Sequence, residues 1–215
     1  MIGPSTEKVM SVASGPLGAA AKFDLPDGRV FGELAELLDQ RNGFYAFEAA
    51  LHVFGAGSGV VGGSIETWNS DGLWRTAYGG LAEGFHFFAE DIFGAQFAVR
   101  GNEVFTFDPE TAETVRIASS IEDWAEQVAG NYRTLTGFPI AHAWQQANGA
   151  IEPGCRLVPK RPFVLGGDFT VANVYMLDSV EGMRVRGELA LQIRDLPDGT
   201  KIRYRIVDRD GPPGS

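Results

Sequence analysis

The spacing of apolar residues changes along the chain, and each change marks a new element. Phe31, Leu34, Leu37 and Leu38 recur at intervals of three and four, which is one face of a helix. Arg41-Asn42-Gly43 supplies the stop. Phe44, Phe47, Leu51 and Phe54 continue the same spacing and predict a second helix, with Glu48 on its polar side. From Phe87 the pattern shortens. Phe87-Phe88-Ala89, Ile92-Phe93 and Phe97-Ala98-Val99 form the densest aromatic stretch, with Glu90-Asp91 in its middle. Arg100-Gly101-Asn102 turns the chain into Glu103–Asp108. Pro109-Glu110-Thr111 turns it again into Thr114–Ala118. Short apolar runs parted by Gly, Asn, Asp and Pro predict an antiparallel meander.

Ser119 and Glu122 make a capping box ahead of Ile121, Trp124, Ala125 and Val128, so a helix starts there. Pro139 at a first helical position opens another over Ile140, Ala143, Trp144 and Ala147, closed by Asn148-Gly149. The last third returns to strands. Phe163–Leu165 and Val171–Leu177 are apolar runs. Met183, Val185, Leu189, Leu191 and Ile193 then interleave with Arg184, Arg186, Glu188, Gln192 and Arg194. After Leu196-Pro197-Asp198-Gly199, Ile202, Tyr204 and Ile206 alternate with Lys201, Arg203 and Arg205, which predicts a long hairpin with one basic face.

The expected fold class is therefore α+β: a central antiparallel sheet packed by helices, with a C-terminal β-hairpin extension. Residues 1–22 read as a loosely ordered N-terminus with room for a short helix, and 23–150 as the main domain. Residues 151–208 read as a strand-rich extension packed on that domain, and 209–215 as a disordered tail.

Composition narrows the function classes. The formal net charge of −10 disfavours nucleic-acid binding, which draws its affinity from phosphate neutralisation; it suits a basic protein partner, though net negative charge more commonly serves solubility alone. The one cysteine, Cys155, rules out an internal disulfide and fits a reducing compartment. No run of about 18 apolar residues occurs, so no membrane span is expected and the predicted location is cytoplasmic.

Candidate chemistry is sparse. Gly57, Gly59 and Gly62 match G-x-G-x-x-G, but the expected helix precedes them and a Trp-rich stretch follows, so a surface loop is expected rather than a dinucleotide site. His52, His86, His142 and Cys155 are dispersed, which predicts no metal and no cofactor. No nucleophile motif appears, and no catalytic residue is assigned. Glu90 and Asp91 are adjacent and would point to opposite faces of a strand, which suits acid–base work poorly; Asp91 is better placed to cap the turn that follows. Trp68 and Trp74 are split between core and exposed interface anchors.

Three segments together resemble the SUKH superfamily, the Smi/Knr-like proteins: Phe88–Phe97, Phe107–Thr111 and Ile117–Ala125, with Arg41-Asn42-Gly43-Phe44 similar to a junction near that family's start. The resemblance covers roughly residues 31–130 and, in a bacterial subgroup with a long C-terminal part, reaches further. It implies an α+β fold and a non-enzymatic role, either as an immunity protein that neutralises a cognate toxin or as an intracellular scaffold or adaptor. The expected mode is occlusion of a basic toxin. The candidate partner contacts are Glu66, Trp68, Asp71, Trp74, Glu90 and Asp91.

Overall fold

The computed structural model describes residues 2–20, 25–197, 199, 200 and 202. In chain order the elements are α1 (Pro4–Ser11), α2 (Arg29–Gln40), β1 (Phe44–Ala46), β2 (Leu51–Val53), α3 (Ile65–Trp68), β3 (His86–Asp91), β4 (Gln96–Arg100), β5 (Glu103–Phe107), β6 (Thr114–Ala118), α4 (Ile121–Leu135), α5 (Phe138–Asn148), β7 (Cys155–Pro159), β8 (Val174–Asp178) and α6 (Ser179–Ile193). The first six strands form one sheet in sequence order, every neighbour antiparallel. β7 and β8 pair as a separate two-stranded antiparallel unit. The fold is α+β, with helices on both faces of the central sheet.

Alternation along the strands sorts the aromatic residues between the two faces. Phe88 and Phe97 meet Trp124 of α4 at ring centroid distances of 5.0 and 5.7 Å. Phe87 and Phe107 point the other way, where Trp74 lies 5.1 Å from Phe87 and Tyr78 lies 5.3 Å from Phe107. A second apolar cluster of Ile92, Phe93, Ala141, Trp144, Leu157 and Val174 joins the β3–β4 turn to α5, β7 and β8.

Two elements differ from expectation. Phe44–Phe54 is a hairpin, not a helix, because Phe47, Glu48 and Ala49 adopt left-handed φ values of 52, 54 and 64° and reverse the chain. The apolar spacing imitated a helix because each strand is only three residues long and Phe47, in the turn between them, supplies the middle of the pattern. Met183–Ile193 is helical, not a strand. Its buried positions Ser179, Gly182, Met183, Arg186, Gly187, Leu189 and Ala190 follow helical spacing, and its N-terminus is capped by Asp178, which accepts from Glu181 N at 3.0 Å. Small and charged residues carry that inner face, so an apolar count finds only the accidental alternation. The C-terminal β-hairpin lies earlier, at β7–β8; 203–206 of the expected hairpin, with Lys201, fall outside the described residues. Phe163–Leu165 is a single 3-10 turn rather than a strand; of the run Val171–Leu177, Val171–Asn173 is a 3-10 turn and the rest is strand β8, as expected.

The cap of α4 falls one residue later than the sequence suggests. Asp123 N donates to Ser120 Oγ at 2.9 Å, while Ser119 N donates to Asp123 Oδ2 at 2.8 Å. Glu122 is thereby free to serve another helix. Its carboxylate accepts from Ser5 N at 2.6 Å and from Thr6 N at 3.2 Å, capping α1 from outside the N-terminal segment. Glu33 of α2 does the same for α4, accepting from Ile121 N at 2.8 Å. Carboxylates thus meet the exposed N–H groups and positive dipole ends of two helices.

Candidate functional site

The largest concentration of buried charge lies where the central sheet meets the C-terminal part. Glu90 is the penultimate residue of β3, its side chain 1% exposed. Its Oε1 lies 2.9 Å from Arg156 Nε, 3.2 Å from His52 Nδ1 and 3.5 Å from Ser179 Oγ. Its Oε2 accepts from Gln96 Nε2 at 3.2 Å. Gln96 Oε1 in turn accepts from Trp68 Nε1 at 2.8 Å. The register delivers these groups together, since β2 and β3 align His52 with Glu90 and β3 and β4 align Glu90 with Gln96. β7 brings Arg156 and α6 brings Ser179.

Burial and pairing set the charge states. Burial alone would raise the Glu90 carboxyl, but Arg156 and the His52 bond outweigh it and hold it below its usual value. Burial pushes His52 down to about 4, so the imidazole is neutral near pH 7 and its Nδ1 carries the proton shared with Glu90. Burial pushes Asp91 up to about 7, against bonds from Phe93 N and Ala95 N, both 2.8 Å. Asp91 does cap the β3–β4 turn with its side chain. Arg186 of α6 donates to Phe93 O of that same turn.

The glycine-rich segment closes over this cluster. Gly62, at φ 82°, lies so near Tyr45 Oη and the His52 ring that a Cβ there would collide with the phenol oxygen. The Tyr45 ring stacks on His52 at 4.4 Å, and Gly154 N donates to Tyr45 Oη at 3.1 Å. The cover is pinned by Glu66, whose carboxylate accepts from Gly57 N at 3.0 Å. A histidine–carboxylate pair can do acid–base work when substrate reaches it. Here both partners are enclosed, so the arrangement acts as a clamp between the sheet and the C-terminal elements. His52 and Arg156 carried no sequence signal beyond a histidine and an arginine within apolar runs.

The six sequence candidates divide. Trp68, Trp74 and Glu90 are inside at 3%, 0% and 1% exposure, and Asp91 is buried in its turn. They do not present at a surface. Trp68 stacks on Phe54 at 4.7 Å, and Trp74 packs against Tyr78 and Phe87; the sheet needs these rings to cover it. Glu66 and Asp71 remain exposed. Between residues 55 and 84 the charged side chains are Glu66, Asp71, Glu83 and Arg75. The three acids face water. Arg75 turns inward, donating to Ala82 O at 2.8 Å and Phe85 O at 3.0 Å, with Asp71 3.6 Å from its Nε. Arg184 of α6 borders this surface through Leu73 O at 2.6 Å. Among the described residues no group of three or more His, Cys, Asp or Glu could hold a metal ion, and no helix is long and apolar enough to cross a membrane.

A mixed α+β fold built on an antiparallel meander is what this geometry defines. The chain is similar in fold to the crystal structure of Atu4351 from Agrobacterium tumefaciens, with a TM-score of 0.53 and 13% identity over 85% of this chain and 88% of that one. No protein-family model and no curated protein matches the chain.

Proposed function

We propose that the protein is a non-enzymatic, cytoplasmic binding module of the SUKH type, an immunity protein that neutralises a cognate basic toxin by occlusion. The observation that carries this reading is the charge arrangement of residues 55–84, where Glu66, Asp71 and Glu83 face water and Arg75 is turned onto backbone carbonyls. An acidic surface on a chain of net charge −10 speeds encounter with a basic protein and repels nucleic acid. The resemblance carried by the central meander supports the same class. Glu66 and Asp71 are the contact residues, joined by Glu83. A constitutive Smi/Knr-like scaffold or adaptor is the alternative, and it shares the acidic surface without the toxin.

The test is affinity capture with the purified chain at low and high salt, beside a Glu66→Gln/Asp71→Asn/Glu83→Gln variant. A single small basic protein should be held at low salt, released at high salt and lost from the variant. Growth arrest on expressing that captured protein, relieved by co-expressing this chain, separates immunity from scaffolding. Capture indifferent to both salt and substitution overturns the electrostatic reading.

A further inference from the structure

Glu66 has two employments. It is one of the exposed acids through which the basic partner is held in the reading above, and its carboxylate also fastens the glycine-rich cover. Gly57 N lies 3.0 Å from Oε1 and 3.2 Å from Oε2, so its one N–H is shared between the two oxygens. A guanidinium that pairs with a carboxylate through two parallel bonds takes that same position. Gly57 and a bidentate arginine therefore exclude each other on Glu66. An ammonium is a point charge, and it settles on the outer side of one oxygen with Gly57 still in place.

The cover is fixed at its base and lightly tethered along its length. Ile65 N donates to Gly55 O at 2.7 Å. The buried Asn42 side chain accepts from Ala56 N at 2.7 Å and donates to Ala56 O at 2.9 Å. Beyond this base, Gly57 and Gly63 stand at φ 89° and 103°, a region open to glycine, and they form the two hinges. Two backbone donors of the cover reach outside it: Gly57 N to Glu66, and Val61 N to Leu17 O at 3.1 Å. Gly63 N turns back on Val60 O at 3.3 Å. Ser58, Gly59 and Val61 face water. One of the two outward tethers thus hangs on an exposed carboxylate.

The ring beneath the cover is not fully paired. His52 is 0% exposed, its Nδ1 meets Glu90, and its Nε2 has no hydrogen-bond partner among the described residues. A Cβ on Gly62 would lie 3.2 Å from that Nε2, so the nitrogen faces the underside of the loop. A buried acceptor without a partner is costly. Lifting Gly62 lets water reach it, which offsets part of the cost of opening.

We propose that Glu66 is a latch: an arginine of the basic partner takes its carboxylate through two bonds, Gly57 is released, and the cover of residues 57–63 lifts from Tyr45 and His52. This inference rests on the basic-partner reading above and adds a response to it. Any cation is attracted to the acidic surface, but arginine alone opens the cover and bares the Tyr45–His52 stack as a second contact surface.

The experiment follows amide hydrogen exchange of the full chain by NMR, alone, with N-acetylated hexa-arginine, with N-acetylated hexa-lysine, and in Glu66→Ala. Diethyl pyrocarbonate, which acylates an unprotonated imidazole nitrogen, reports on His52, with the exposed His142 as internal standard. Glu66 is exposed, so its variant folds. Hexa-arginine and Glu66→Ala should each quicken exchange at Gly57, Val61 and Gly63 by about 10-fold, the worth of one hydrogen bond to a charged acceptor, and should open His52 to acylation. Hexa-lysine should do far less, hexa-arginine should add nothing to Glu66→Ala, and β3 and β4 should stay protected throughout. Exchange and acylation unchanged in Glu66→Ala overturn the latch, whatever the peptides do. Hexa-arginine that shifts the Glu66 and Asp71 resonances and leaves the cover closed overturns the trigger while the basic-partner reading stands. Equal opening by hexa-lysine overturns the bidentate exchange. Absence of binding by either peptide overturns the trigger and counts against the basic-partner reading as well.

Discussion

Arg156 Nε lies 2.9 Å from Glu90 Oε1, with both side chains out of water and 66 positions apart in the chain. Each is costly to bury alone, so the pair acts as a registration device between β3 and β7 rather than as a plain source of stability. The neutral His52 and Gln96 complete the shell of donors around the carboxylate.

Removing one partner strands the other. Arg156→Ala or Glu90→Ala should each cost about 3–5 kcal/mol, read as the shift of a urea unfolding midpoint at unchanged slope. The double variant Glu90→Ala/Arg156→Ala should lose much less than the sum. Additive losses in the double-mutant cycle would show that the two charges do not share one site.

The buried titratable groups give opposing pH dependences. His52 has its folded value lowered to about 4 from 6.5, so the unfolded chain binds the proton first, and stability falls as pH drops from 6.5 towards 4. Asp91 has its folded value raised to about 7 from 3.8, so the folded chain keeps its proton, and stability falls as pH rises from 3.8 towards 7. Asp91→Asn retains an oxygen for Phe93 N and Ala95 N and removes the second effect. Its stability should rise more steeply than wild type's between pH 4 and 6.5. Parallel stability–pH curves for the two proteins would refute the assignment.

Two helical glycines should respond to alanine with opposite sign. Gly32 of α2 has open space where a Cβ would go, so Gly32→Ala should stabilise by about 1 kcal/mol. Gly187 of α6 would place its Cβ 2.8 Å from the Tyr78 ring and 2.9 Å from Ala77 O. Overpacking there outweighs the propensity gain, and Gly187→Ala should cost about 1–3 kcal/mol. Thermal unfolding of both variants decides it, and a stabilised Gly187→Ala would mean α6 does not pack this closely.

Glu122 ties α1 to α4 by capping a helix remote in sequence. Glu122→Ala should cost about 1 kcal/mol, within the range of lost caps, and the loss should be local. Amide hydrogen exchange should quicken at residues 5–10 while the central strands stay protected. Uniform acceleration across the sheet would contradict a local role.

Much of the meander was legible because its turns are marked. Gly101 at φ 62° and the Asp91 side chain do locally what their residue types allow, and neither needs the rest of the fold. α2 and α5 were legible for the same reason: apolar residues repeat on one face and a glycine follows the end. The β1–β2 hairpin was not, because no sequence rule asks Phe47, Glu48 and Ala49 to turn left-handed. Contacts with Tyr132, His142 and Gln145 impose it. Nor was α6, whose inner face is built from Gly182, Arg186, Gly187 and Ala190 and means nothing until Tyr78 and the β3–β4 turn are placed against it.

The same division runs through the site. Sequence alone determined the acidic balance, the sparse metal-binding residues and the aromatic centre of the sheet, since these depend on composition and short-range pattern. Only the tertiary structure decided which acids face water. Glu66 and Glu90 look alike along the chain. One lies on a short surface helix; the other is enclosed because β2, β4 and α6 each bring it a hydrogen-bonding group and β7 brings it an opposite charge, and only that convergence makes a buried carboxylate tolerable.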